Sequence, residues 1–212
     1  MTPKIVYIEG NIGTGKSTFL KHLDDNELKK RYKYEVLYEP VDDWQEKGIL
    51  EKFYKDPKRY CYTFQSYCLF TRFQLLKKID RRDDLDFVFI ERSIFSDNVI
   101  FAQTCKSINQ MSELEYNIYI SWFNHFFTIH PNDYYHLYLQ LQPEICLERI
   151  KQRSRNEETG ISIDYLKLLH DNHESWLNNN DKCIKVYDNR DILKPKVVLD
   201  EVSKLIGLYK VG

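Results

Sequence analysis

Short apolar runs alternate with longer amphipathic stretches along this chain. Five segments, Ile5–Glu9, Glu35–Glu39, Phe87–Glu91, Tyr135–Leu141 and Cys183–Tyr187, are brief and rich in Val, Ile, Tyr or Phe. Polar or turn residues bound each of them, which predicts strands. Between them the apolar spacing is helical. Met111, Leu114, Ile118, Trp122, Phe126 and Ile129 recur at three- and four-residue steps, predicting a helix with one apolar face. Strand and helix in alternation imply an α/β fold, a parallel sheet wrapped by helices. The stretch 149–162 breaks the pattern: Arg149, Arg153, Arg155, Glu157 and Glu158 crowd around Gly160, with no apolar period after Ile150. It reads as a charged surface loop, and in a phosphotransferase as a lid.

Composition narrows the options. With 212 residues, 42% hydrophobic and 30% charged, the chain suits one soluble globular domain over residues 1–212. A formal net charge of −1 argues against a nucleic-acid partner. The five cysteines are odd in number and lack CxxC spacing, which suits free thiols in a reducing compartment. Neither a signal peptide nor a membrane-spanning run is apparent, so a cytoplasmic address without membrane contact is expected.

Candidate chemistry begins at Gly10-Asn11-Ile12-Gly13-Thr14-Gly15-Lys16-Ser17, which fits GxxxxGK[ST]. Glycines let the backbone turn its N–H groups onto phosphate oxygens; Lys16 reaches the β- and γ-phosphates, and the Ser17 hydroxyl can ligate Mg²⁺. The motif follows a predicted strand and opens a helix carrying Phe19, Leu20 and Leu23. A GTPase would need Asn-Lys-x-Asp, and none is present. A motor ATPase would end the third strand in aspartate-glutamate. Here Glu91-Arg92-Ser93 follows that strand, and an arginine beside the magnesium-side carboxylate favours direct phosphoryl transfer.

Several motifs then coincide in order: Gly10–Thr18, Glu39-Pro40-Val41-x-x-Trp44, Phe64-Gln65-Ser66-Tyr67, Glu91-Arg92-Ser93 and Arg149-x3-Arg153-x-Arg155-Asn156-Glu157-Glu158. Together they resemble the deoxynucleoside kinase family, and the similarity continues through Tyr165-Leu166 and His173-Glu174-Ser175-Trp176. The resemblance implies a P-loop nucleoside-kinase fold with a five-stranded parallel sheet. It also implies transfer of the ATP γ-phosphoryl to a nucleoside 5′-hydroxyl with Mg²⁺, and a homodimer.

On that resemblance Glu39, at the end of the second strand, is the base for the 5′-hydroxyl, a contribution of roughly 10²–10⁴ in rate. Arg92 contacts the transferring phosphoryl and holds the base, and Glu91 helps position Mg²⁺. Arg149, Arg153 and Arg155 are the lid cations. Gln65 pairs with the nucleobase, Phe64 and Phe101 enclose it, and Trp44, Ile12 and Leu50 wall the pocket. Tyr54 and Glu158 hold the 3′-hydroxyl. Arg72 and Asp97 match the pair found in deoxycytidine and deoxyguanosine kinases. An ionised Asp97 accepts hydrogen bonds only, so it suits an exocyclic amino group and disfavours thymine. Cys68 occupies a pocket position of variable size, which leaves cytosine and the purines undecided. The adenine side of the donor site is expected near Asn189–Ile192. A thymidylate-type monophosphate kinase is the closest alternative, but its anionic acceptor needs a positive group where Glu39 lies. A nucleotide-binding module without catalysis is the other.

Overall fold

A computed structural model gives the fold and describes residues 3–24, 32–79, 82–128 and 134–186, together with 200, 202 and 204. Among the described residues the strands are β1 (Lys4–Glu9), β2 (Tyr34–Leu37), β3 (Phe87–Glu91), β4 (Tyr134–Leu139) and β5 (Cys183–Val186). They form one sheet in the order β2-β3-β1-β4-β5, parallel throughout. The expected α/β architecture and five-stranded parallel sheet are therefore present. The chain leaves β1 for one side of the sheet to make β2 and β3, then crosses to the other for β4. The carboxyl end of β1 is thus a topological switch point, where open α/β sheets place their ligands.

β1 and β3 read as near-continuous apolar runs because both faces are covered. Ile5, Val6, Tyr7 and Ile8 are buried, as are Phe87, Val88, Phe89 and Ile90. One apolar cluster lies on each face. On one, Phe19, Leu20 and Leu23 of α1 (Lys16–Leu23) pack against Val6, Ile8, Phe87 and Phe89. On the other, Ile5, Tyr7, Val88 and Ile90 meet the long helix α4 (Pro57–Ile79). Each large apolar side chain so buried contributes about 1.5–3 kcal/mol.

α4 explains how the site is populated. Its inward stripe runs Cys61, Phe64, Gln65, Cys68, Leu69, Arg72, Leu76 and Ile79 at helical spacing. Gln65 and Arg72 interrupt an otherwise apolar face, yet they are only 2% and 3% exposed. Buried polar groups at core positions need partners, and these two face the cavity described below. Before α4 come α2 (Val41–Glu46) and α3 (Ile49–Lys55). After β3 a helical run comprises α5 (Ile94–Ser96), a π-helical stretch Asp97–Ala102 and α6 (Gln103–Ser107). Such wide turns are frequent at functional sites.

Two expectations need correction. The second strand ends at Leu37, two residues short of Glu39. Glu39 precedes Pro40, which lacks an N–H for the ladder, and the Glu39 carbonyl instead accepts from Val41 N at 2.8 Å. β4 begins at Tyr134 and stops at Leu139 rather than Leu141, and Tyr187 and Ile129 fall outside the described residues. The predicted helix with one apolar face is present as α7 (Glu113–Thr128), and much of that face is open to solvent. Leu114, Ile118 and Trp122 are 70%, 41% and 51% exposed, while Tyr119 is fully buried and Phe126 stacks on Phe73 of α4 at 4.4 Å.

The charged stretch at 149–162 is also more ordered than expected. Arg149 and Arg153 lie on α8 (Pro143–Arg153), followed by a 3₁₀ turn over Asn156–Gly160. Ile150 and Ile161 anchor it to a third small apolar cluster with Cys146 and Leu166. Leu166 belongs to α9 (Ile163–Leu177), whose cap is Ser162: its side chain accepts from Tyr165 N. No helix among the described residues is long and apolar enough to cross a membrane. All five cysteines are free, and four of them are buried.

Candidate active site

A cavity of about 270 Å³ opens at the carboxyl ends of β1, β2 and β3. The β1–α1 loop forms its floor. Ile12, Gly13, Gly15, Lys16, Ser17 and Thr18 line it, while Gly10, Asn11 and Thr14 stand behind and shape the loop. The close approach demands glycine twice. At Gly10, with φ +145°, a Cβ would meet the Leu139 carbonyl oxygen at 2.8 Å; at Gly13, with φ +85°, the Cys146 carbonyl oxygen at 2.6 Å. Asn11 ties the loop to α9 by donating to the Leu166 carbonyl at 2.8 Å, and its Oδ1 accepts from Ile12 N at 2.8 Å. Thr14 Oγ1 donates to the Asn11 carbonyl at 3.1 Å.

Lys16 is 5% exposed, and its ammonium donates to the carbonyls of Gly10 and Asn11 at 3.1 and 2.8 Å. Burial, and then the neighbouring Arg92, pull that ammonium down to about 7. Ser17 Oγ donates to Glu91 Oε1 at 2.8 Å. A hydroxyl and a carboxylate side by side are hard oxygen donors of the kind Mg²⁺ takes when phosphates and water complete its shell. Among the described residues no cluster of three or more metal-ligating side chains exists. The two oxygens therefore fit Mg²⁺ bound with a nucleotide and not a resident metal caged by protein.

Glu39 lies across the cavity from the loop, its side chain 16% exposed. Arg72 Nη2 donates to its Oε1, and Arg92 Nε stands 3.5 Å from the same oxygen. Burial alone would raise this carboxyl, but Arg72, Arg92 and then Lys16 outweigh it and hold it below the usual carboxylate range. Arg92 has φ +64°, a left-handed backbone that costs an L-residue about 1–2 kcal/mol. Its Nη1 donates to the Gly10 carbonyl at 2.9 Å and its guanidinium sits 4.6 Å over the Phe101 ring.

Side chains from four elements make the far half. Arg72 donates through Nε to both carboxylate oxygens of Asp97, at 2.8 and 2.7 Å, and through Nη1 to the Glu91 carbonyl at 3.0 Å. Asp97 is 1% exposed; burial pushes its carboxyl up to about 6 although Arg72 pulls the other way. Gln65 and Cys68 line the cavity beside this pair, with Phe64, Phe101, Trp44 and Leu50 as apolar walls. Trp44 meets Phe64 edge-on at 5.5 Å, and its Nε1 donates to Thr71 Oγ1 at 3.1 Å. Tyr54 and Glu158 complete the rim.

The arginines divide. Arg153 and Arg155 line the cavity, and both donate to the Glu158 carboxylate. Arg149 does not line it: its Nη1 donates to the Thr14 carbonyl at 3.2 Å, behind the loop. Gln45 Nε2 bridges to Glu157 Oε1 at 2.8 Å, joining α2 to the 3₁₀ turn. Every other predicted site residue reaches the cavity or the loop behind it. Asn189–Ile192 fall outside the described residues. Two lining residues were missed, Lys21 and Val41. Lys21 follows Ser17 by one helical turn, and Val41 sits two past Glu39 within the motif already quoted.

The model of the family described as "Deoxynucleoside kinase" matches residues 6–206. The chain belongs to the deoxynucleoside kinase family. Curated relatives agree. A fowlpox virus protein named "Probable deoxycytidine kinase FPV151" is 40% identical over 184 residues, covering 85% of this chain and 74% of that protein. Human deoxycytidine kinase is 38% identical over 201 residues, covering 82% and 75%. The mitochondrial deoxyguanosine kinase of Xenopus laevis is 33% identical over 202 residues, covering 84% and 74%. Membership makes this deoxynucleoside kinase an ATP-dependent phosphotransferase with the P-loop kinase fold expected of it.

Proposed function

We propose that this enzyme transfers the γ-phosphoryl of ATP to the 5′-hydroxyl of a 2′-deoxynucleoside, favouring deoxycytidine and purine deoxynucleosides over thymidine. The observation that carries this reading is the Arg72–Asp97 pair closing the far end of a cavity whose near end is the phosphate loop. A carboxylate engaged on one side by arginine accepts a hydrogen bond from an amino group and repels a carbonyl oxygen. Gln65 offers the adjacent donor and acceptor. Phe64 and Phe101 flank the ring, Trp44, Leu50 and Cys68 set its width, and Tyr54 with Glu158 receives the 3′-hydroxyl.

In this reading the nucleoside 5′-hydroxyl lies against Glu39, which accepts its proton. Arg72 and Arg92 keep Glu39 ionised, and so make it a weak base. That suits a loose phosphoryl transfer, in which the proton leaves late and orientation matters more than basicity. Arg92 and Lys16 bind the oxygens of the transferring group, and the backbone of Gly10–Thr18 cradles the other phosphates. Ser17 and Glu91 are the donors that would hold Mg²⁺, which withdraws charge from the phosphate oxygens when bound. Arg153 and Arg155, released from Glu158 when the sugar hydroxyl takes that carboxylate, turn to the phosphates; Arg149 supports the loop from behind.

We assign the exposed apolar face of α7, Leu114, Ile118 and Trp122, to a second copy of the chain. Sedimentation should then give twice the 25.7 kDa mass, and Trp122→Glu should return the monomer. Free thiols support a reducing compartment, and we place the enzyme in the cytoplasm as one domain over residues 1–212. The deciding experiment is incubation with ATP, Mg²⁺ and each of the four deoxynucleosides, with the monophosphates quantified. Deoxycytidine or purine products with little thymidylate are expected. Dominant thymidine phosphorylation would overturn the role given to Arg72 and Asp97.

A further inference from the structure

Behind Arg92 lies a buried polar cluster that the chemistry above does not use. Ser93 Oγ donates to Glu9 Oε1 at 2.5 Å, and both side chains are fully buried. Glu9 is the last residue of β1, immediately before Gly10. Ser93 follows Arg92 immediately after β3. The bond therefore pins together the two strand ends that carry the phosphate loop and the arginine. Backbone contacts run alongside it: Arg92 N donates to the Ile8 carbonyl at 3.0 Å, and Ser93 Oγ also accepts from Ser96 N at 3.1 Å.

A carboxylate in this place needs a reason. Glu9 Oε2 has no hydrogen-bond partner among the described residues, and His136 Nδ1 stands 3.5 Å from Oε1 without a direct bond. Burial pushes the Glu9 carboxyl up, but His136 and Ser93 outweigh it and hold it at about 2, so it stays ionised. A buried anion with one oxygen unsatisfied is unfavourable for stability by itself. An apolar residue would serve the core better. What the anion supplies is a strong, directional acceptor for one hydroxyl, one residue away from the strained arginine.

We propose that Glu9 and Ser93 form a clamp that positions Arg92: by fixing Ser93, the clamp holds Arg92 in its left-handed backbone conformation and aims its guanidinium across the Gly10 carbonyl toward Glu39. Neither residue touches substrate, so both are positioning residues and not catalytic ones. Without the clamp, Arg92 relaxes toward an ordinary backbone conformation, and its side chain leaves the line between Glu39 and the phosphate loop. The inference rests on the proposed role of Arg92 at the transferring phosphoryl.

The test is a double-mutant cycle of Ser93→Ala and Arg92→Ala in the full chain, read as kcat and KM with deoxycytidine and ATP. Ser93→Ala should lower kcat at least about tenfold, equal to about 1.4 kcal/mol on the barrier, with both KM values within about twofold. In the Arg92→Ala background the same substitution should change kcat by less than about twofold, because the group it acts through is gone. Undiminished turnover in Ser93→Ala, or the same loss in both backgrounds, overturns the clamp. If Ser93→Ala does not fold, as judged by circular dichroism, the isosteric Glu9→Gln carries the same cycle with the same expected outcomes. The outcomes also separate the two readings. Wild-type turnover in Arg92→Ala defeats the role given to Arg92, whereas a crippled Arg92→Ala beside an active Ser93→Ala defeats the clamp alone.

Discussion

The two halves of the cavity are built on different plans. The half formed by Gly10–Thr18 is main chain: its shape comes from glycines at positive φ that lie too close to the carbonyls of Leu139 in β4 and Cys146 in α8 to admit a Cβ. The half formed by Gln65, Arg72, Asp97, Phe64 and Phe101 is side chain, drawn from α4 and the π-helical stretch after β3. Glu39 and Arg92 lie on the seam between them. A main-chain cradle binds what every acceptor shares, while a side-chain pocket can discriminate. Changes in the first half should therefore scale all substrates together, and changes in the second should reorder them.

The largest expected effect lies on the seam. Glu39→Gln keeps the shape but removes proton acceptance, so kcat should fall by roughly 10²–10⁴ for every nucleoside, measured by steady-state kinetics with each of the four. Next comes the reordering. Arg72→Met with Asp97→Ala should raise the thymidine-to-deoxycytidine ratio of kcat/KM by about 10² or more, since the buried acceptor that rejects thymine is gone. An unchanged ratio would mean that the two halves do not divide the work as described. Absolute turnover should also drop in this variant, because Arg72 is one of two arginines on Glu39.

Smaller effects sharpen the contrast. Gly13→Ala forces a Cβ onto the Cys146 carbonyl and should raise the KM for ATP about tenfold, by about the same factor whichever nucleoside is present. A nucleoside-dependent change would breach the division. The smallest effect concerns pH. Asp97 titrates at about 6, above an exposed aspartate, because burial disfavours its charge. Below that pH it carries a proton and gains a donor, so its objection to the thymine carbonyl weakens. Lowering the pH from 7.5 to 5.5 should thus shrink the preference for deoxycytidine about fourfold, in step with the fall in the ionised fraction of Asp97. The preference should be insensitive to pH in Asp97→Asn.

The difference between the halves also explains what could be read in advance. A main-chain cradle has a contiguous signature, so Gly10–Ser17 and the helix after it were legible from spacing alone. Residues of a side-chain pocket are scattered, and Trp44, Cys68 and Phe101 look like ordinary core residues; only the resemblance gathered them. Gln65 and Arg72 are an exception with a physical signal of their own, two polar residues seven apart on the inward stripe of α4. The apolar face of α7 was legible from its spacing, but periodicity finds such a face without saying what covers it, and Leu114, Ile118 and Trp122 are exposed here. The pairing of Glu9 with Ser93 joins positions 84 residues apart, and nothing in either local sequence announces it.

One contact has a historical consequence. Arg72 grips Asp97 with one edge of its guanidinium and Glu39 with another, so taste and speed share a single side chain. A lineage drifting toward thymidine by losing Arg72 would first pass through a form slow on every nucleoside. Escape from that valley requires a second change that steadies Glu39. Gain of a new substrate along this route is a two-step event, and the order of the steps is set by the geometry of one arginine.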